Sequence, residues 1–362
     1  MKAIDDSCLE CGQCAESCPL LAELGQSPLQ LARQGVDVMA AFSCSLCGAC
    51  EAACPQRLNP GNLFAARRYE AVEHGEVDIA DYRYLFPDRT NNIMNTYRRQ
   101  FGIDYQDVQG QEGAGTWFFP GCTLLTYSPQ LTRAVFCRLQ ESLDCGGIWT
   151  DCCGKPLQQL GLKRRHDSMR ESLQKFRQAH KIDRLITACP GCYYELQEVF
   201  KESELIIQTV YEALDFTRRA LSGKKICTIH DSCPDRFTGK FGSQVRQALK
   251  HCGFRLAEMK HNKEKAICCG SGGQISHFRP DFTEQLVQVR LAEVRESAAE
   301  VLVGYCLSCV LKFDNHGSPI PVTHALNLLL NESEDYRGAK DRVARMLSGT
   351  DGEKIWREIM AD

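Results

Sequence analysis

Short apolar runs punctuate the second half of this chain, and each stops just before a cysteine. Thr116–Phe119 and Lys225–His230 precede Cys122 and Cys233; Asp183–Ala188 and Glu300–Tyr305 precede Cys189 and Cys306. Runs of this length and composition predict strands. Around them the apolar spacing turns helical: Leu131, Val135 and Leu139; Met169, Leu173 and Phe176; Val287, Leu291 and Val294. Strands alternating with helices predict a mostly parallel sheet whose loops gather at the strand carboxyl ends. The first half reads differently. Leu20, Leu21, Leu24, Leu29 and Leu31 predict a helical segment within 20–42, and 62–73 predicts a further helix. The stretch 78–115 mixes charge with Gly, Asn and Asp, and predicts a connector with one or two helical pieces. The charged end, 332–362, predicts a solvated helix pair, with partner docking as the alternative.

The second half also repeats itself. Copy one has Phe118-Phe119-Pro120-Gly121-Cys122, then Cys152-Cys153-Gly154, then Cys189-Pro190-Gly191-Cys192. Copy two has His230-Asp231-Ser232-Cys233, then Cys268-Cys269-Gly270, then Cys306-Leu307-Ser308-Cys309, offset by 111, 116 and 117 positions. The echo continues in Val210–Leu214 and Val322–Leu326. If the three groups of a copy converge at one sheet edge, five sulfurs meet in one place, and that makes a metal site. The first copy's loop is shorter, with 29 residues between Cys122 and Cys152 against 34 between Cys233 and Cys268. Loop length alone costs little.

The amino-terminal cysteines have another spacing. Cys8, Cys11, Cys14 and Cys18-Pro19, then Cys44, Cys47, Cys50 and Cys54-Pro55, are two C-x2-C-x2-C-x3-C-P runs, the bacterial two-cluster ferredoxin pattern. Two intervening residues aim three successive sulfurs at one cube, and the fourth cysteine reaches the other cluster. One cubane [4Fe–4S] cluster is then expected on Cys8, Cys11, Cys14 and Cys54, the other on Cys44, Cys47, Cys50 and Cys18. Zinc also uses paired C-x2-C groups, but it seldom needs four cysteines and a proline in one run, twice over.

The 22 cysteines exceed what a disulfide framework explains, because such frameworks belong to short secreted chains and this one has 362 residues. Met1–Glu10 carries no apolar signal region, and no run approaches the roughly 18 apolar residues of a membrane span. A soluble, cytoplasmic protein is expected, free to dock on a membrane partner. A net charge of -3 gives no footing for nucleic acid. No flavin or nicotinamide motif is present, so electrons are expected to come from, or go to, another subunit. Gly270-Ser271-Gly272-Gly273 lacks the residues of a phosphate loop, and close backbone approach to a cluster is the better reading. Four cysteines stand outside the motifs: Cys137, Cys145, Cys227 and Cys252. Cys137 and Cys227 are expected to be buried as small apolar residues. For His230 and Asp231, a hydrogen bond or proton toward sulfur and a structural cap both remain open.

The amino-terminal pair resembles the ferredoxin module of fumarate- and glycerol-3-phosphate-dehydrogenase-type iron–sulfur subunits. The Cys-Cys-Gly repeats resemble the cysteine-rich (CCG) domain of the catalytic subunit of heterodisulfide reductase, with related domains in glycolate, lactate and anaerobic glycerol-3-phosphate dehydrogenases. The resemblance implies one or two noncubane [4Fe–4S] clusters, each on five cysteines: Cys122, Cys152, Cys153, Cys189 and Cys192, and Cys233, Cys268, Cys269, Cys306 and Cys309. It further implies an anaerobic oxidoreductase acting on a disulfide or thiol within a complex. A flavoprotein or other redox subunit would be the electron partner. The alternative is a non-catalytic electron-transfer subunit of a flavin-dependent glycolate, lactate or glycerol-3-phosphate dehydrogenase. The expected fold is α+β: a helical two-cluster ferredoxin module over 1–76, a connector over 77–113, two pseudo-symmetric α/β CCG domains over 114–222 and 223–331, with mostly parallel sheets, and a helical tail over 332–362.

Overall fold

The computed structural model describes residues 4–108, 110, 115–216 and 225–361. The expected boundaries at 113/114 and 222/223 fall outside them, as do residues 1–3 of the amino-terminal segment and Asp362 at the end of the tail. Within 20–42 the expected helical segment forms as Pro19–Leu24, Pro28–Gln34 and the start of Val38–Ser43. Ser27 and Gln30 close a reciprocal capping box at the start of the second of these, which satisfies donors that its first turn leaves free. Helix Gly61–Glu73 follows, as expected for 62–73.

Each repeat builds a four-stranded parallel sheet. In the first, β1 (Thr116–Phe119), β2 (Gly147–Ile148), β3 (Arg184–Thr187) and β4 (Ile206–Thr209) lie in the order β2-β1-β3-β4. In the second, β5 (Ile226–His230), β6 (Arg255–Leu256), β7 (Val301–Gly304) and β8 (Val322–His324) lie in the order β6-β5-β7-β8. Val301-Leu302-Val303-Gly304 is buried throughout, as a parallel strand covered on both faces must be. The four edge strands, two to four residues long, escaped the sequence reading because they are too short for a periodic signal. One apolar core runs from Phe118 and Ile186 of the first sheet to Ile229 and Val303 of the second, so the two repeats share an interior.

Three sequence expectations need correction. The echo of Val210–Leu214 in Val322–Leu326 is not structural register, since Val210 opens a helix whereas Val322 opens β8. Structurally equivalent helix caps are Thr209 and His324. Cys137 is exposed, because it points away from the Leu131–Val135–Leu139 face of its helix; Cys145, Cys227 and Cys252 are buried. The tail is no solvated pair. Its helices, Tyr336–Met346 and Gly349–Met360, bury Tyr336, Met346 and Ile359. They dock on the connector, where Arg83 and Arg89 donate to the Met360 and Ile359 carbonyls at 3.0 Å each.

The modules are joined by a fully buried arginine. Arg68 donates to Ala41 O at 2.9 Å and to Cys44 O in the ferredoxin module, to Gln159 O at 2.6 Å in the first repeat, and to Gly273 O at 2.9 Å in the second. Burial lowers its pKa to about 10, still protonated at neutral pH. Replacing it by methionine would strand these carbonyls inside the protein. At about 1–3 kcal/mol for a buried group left unsatisfied, Arg68→Met is expected to cost at least about 3 kcal/mol, read as a lower urea midpoint under anaerobic conditions.

Candidate metal centres

The order β2-β1-β3-β4 has its switch point between β1 and β3, where open parallel sheets place their ligand sites. Cys122 follows β1 and Cys189 follows β3, each at the start of a helix, and the Cys152-Cys153 turn closes over them. The Cys122 and Cys152 sulfurs are 4.0 Å apart. Gly121 takes φ 90°, and a Cβ there would stand 3.0 Å from Cys192 Sγ, so the backbone hugs the sulfurs. The second repeat repeats this arrangement after β5 and β7. Cys269 Sγ lies 3.1 Å from Cys309 Sγ, and the Cys309 thiol draws the pKa of Cys306 down to about 6.

The two groups face each other. Thr123 Oγ1 and Ser308 Oγ are 3.3 Å apart, and Gly191 lies against Pro234. Nine of the ten cysteines line one cavity of about 630 Å³, whose other walls carry Tyr84, Trp356 and Leu347 from the connector and tail. Sequence reasoning missed this role for 77–113 and 332–362. Neither segment contains a motif, and only packing brings them here.

Cys268, the tenth, keeps hydrogen bonds to Cys233 and Cys269 of its own group but also faces the ferredoxin module. It shares a small cavity with Cys18, Cys44, Cys47 and Cys50, and its thiol hydrogen-bonds Cys47. Arg236 donates to Cys47 O at 2.8 Å and to Ala266 O at 2.8 Å, which locks the ferredoxin loop onto the second repeat. Gly272 and Gly273 approach the Cys44 and Ser45 backbone, with Cys233 Sγ also near Gly272. The expected close approach is therefore mainly to this loop. Cys8, Cys11, Cys14 and Cys54 line a separate cavity of about 280 Å³ at the protein surface, where Leu9 is 64% exposed.

None of these thiols is tied in a disulfide. Burial pushes Cys18 and Cys44 up to about 12, so as bare groups they would stay protonated. A metal reverses that balance, because coordination deprotonates a thiol outright. Clustered thiols with tight glycine approaches fit iron–sulfur groups.

Similarity to known proteins agrees with this geometry. A cysteine-rich domain family matches residues 116–197 and again 227–314, and a 4Fe-4S dicluster domain matches residues 5–58. The chain carries two cysteine-rich (CCG) domains and a 4Fe-4S dicluster domain. It is 24% identical over 359 residues to a subunit of the dihydromethanophenazine:CoB–CoM heterodisulfide reductase of Methanosarcina mazei, covering 84% of this chain and 87% of that one. It is 25% identical over 339 residues to a subunit of the fumarate reductase (CoM/CoB) of Methanothermobacter marburgensis, covering 84% and 66% respectively. Lactate utilization protein A 1 of Bacillus mycoides is 27% identical over 246 residues, 61% of this chain and 98% of the relative. These similarities place the CCG protein among iron–sulfur electron-transfer subunits. Among the described residues, no helix is long and apolar enough to cross a membrane.

Two buried polar groups beside the cysteines also went unread. His166 pairs with Glu195 at 2.9 Å behind Gly154. Arg290 lies behind the second repeat's sulfurs, bonded to His230 Nδ1 at 3.2 Å. Arg290 had a signal: a charge on the apolar stripe of Val287, Leu291 and Val294. Asp231 proves structural, held by Arg246 at 2.7 and 2.8 Å; burial works to raise its pKa, and that bidentate pair overrides it. Gly121→Val is expected to push a side chain into the first cysteine group and lower bound iron by one cluster per chain, measured by iron analysis and absorbance, with the ferredoxin signals retained.

Proposed function

We propose that this CCG protein is the disulfide-reducing subunit of a heterodisulfide-reductase-like complex. The supporting observation is the single cavity that nine cysteines of two repeats share. In this reading Cys8, Cys11, Cys14 and Cys54, and Cys44, Cys47, Cys50 and Cys18, hold two cubane [4Fe–4S] clusters. The two five-cysteine groups hold noncubane clusters. Such groups, when bound, supply one-electron carriers and irons open to a sulfur ligand. The overall change is a disulfide plus two electrons and two protons giving two thiols.

The chain's own residues do the rest. Tyr84, Leu347 and Trp356 wall the cavity with apolar surface that favours an extended thiol or disulfide over water. Contact between Cys47 and Cys268 joins the ferredoxin loop to the second group without an intervening residue. Exposed Leu9 and Cys11 form the face where a flavoprotein or other redox partner would reach the chain.

The test is spectroscopic. Anaerobically purified protein should carry iron for four clusters, and partial oxidation with a thiol present should produce a new paramagnetic signal. Unchanged spectra together with iron for only three clusters would instead support an electron-transfer subunit of a flavin-dependent glycolate, lactate or glycerol-3-phosphate dehydrogenase. The similarity to lactate utilization protein A favours that second reading.

A further inference from the structure

The two repeats share a frame but not their backing. In the first, the residue three before Cys122 is Phe119, which ends β1; in the second, the residue three before Cys233 is His230, which ends β5. Gly154 packs on His166 as Gly270 packs on Thr283, which sets the register between helices Lys163–Ala179 and Pro280–Glu296. Seven residues further along, Leu173 of the first helix corresponds to Arg290 of the second. Ten residues along, Phe176 corresponds to Glu293. Three residues after the last cysteine of each group, Glu195 corresponds to Lys312.

Behind the first group, apart from the buried His166–Glu195 pair at Gly154, the protein is apolar and aromatic. Phe119 and Leu173 are buried, and Phe176 stacks on Trp149 with ring centres 4.5 Å apart. Behind the second group it is polar. A ring nitrogen of His230 and the sulfurs of Cys269 and Cys309 lie within 4.8 Å of one another. Arg290 Nε donates to His230 Nδ1, which leaves the imidazole proton on Nε2. Arg290 is 0% exposed and donates through Nη1 to His261 O at 2.6 Å and to Glu293, while its Nη2 has no partner among the described residues. An orphaned donor on a buried cation is costly to keep, so it points to an acceptor of negative charge. The first group has its own cations, Arg98 and Lys155, but both are partly exposed to solvent, which screens them.

We propose that His230 and Arg290 are positioning residues of the second cysteine group alone, donating toward its sulfurs and raising the reduction potential of the cluster held there. Hydrogen bonds to sulfur stabilise the reduced, more negative form; the Arg290 charge is balanced by its ion pair with Glu293, so the donors carry the effect. The duplication has thereby produced two centres with like ligands and unlike electrochemistry.

The inference rests on the proposal that both groups bind clusters, and its test separates the two. Redox titration followed by electron paramagnetic resonance is run on iron-loaded wild type, with the second-group signal assigned as the one lost in Cys309→Ser. His230→Phe and Arg290→Leu install the first repeat's residues. Each is expected to lower that potential by about 59 mV or more, a tenfold change in the one-electron equilibrium, and to leave the other potentials in place. His230→Gln, which keeps an amide donor, should recover much of the shift. Unmoved potentials with full iron content overturn the inference and leave the cluster assignment standing. Loss of second-group iron in both His230→Phe and His230→Gln also overturns it, since His230 would then hold iron itself. Wild type lacking any second-group iron sinks the cluster assignment instead, and this inference with it.

Discussion

A single buried guanidinium holds this protein's electron-carrying parts together. Arg68 is 0% exposed and makes no ion pair with a carboxylate among the described residues; its donors are spent on backbone carbonyls of the ferredoxin module and of both repeats. A charge so placed tolerates little movement, because shifting any of the three modules leaves both the cation and a carbonyl unsatisfied in a low dielectric. Arg236 repeats the device one loop away, tying Cys47 O to the backbone around Ala266. Electron transfer between clusters needs fixed short separations, and these arginines supply the rigidity.

The duplicated α/β unit serves a different need. A parallel sheet with its switch point at one end gathers loops from β1 and β3 without any loop crossing the core. Two such units sharing one apolar interior bring their cysteine edges face to face. The cavity between them is completed by the least motif-bearing parts of the chain, the connector and the carboxyl-terminal helices. Those parts set the shape and the apolar walls of the cavity, while the cysteines decide what chemistry is available.

Copying a site does not copy its surroundings. Substitutions at Phe119/His230, Leu173/Arg290, Phe176/Glu293 and Glu195/Lys312 leave the cysteine pattern intact but change the polar groups behind it. Divergence of this kind is invisible to motif matching, since every motif residue is still there.

Local spacing determined much of this protein. The C-x2-C-x2-C-x3-C-P runs, the Cys-Cys-Gly repeats and the strands that end at Cys122, Cys189, Cys233 and Cys306 were legible, because each depends on contacts among residues near in sequence. Long-range packing decided the rest. The charge of Arg290 on an apolar helix face left a signal that went unread, and its partner His230, sixty residues earlier, left none. Nor did the contact of Cys268 with Cys47, the exposure of Cys137, or the docking of Trp356 over the cavity. Each depends on how distant segments meet. Such meetings are set by the fit of whole surfaces, which periodicity and spacing along one chain do not encode.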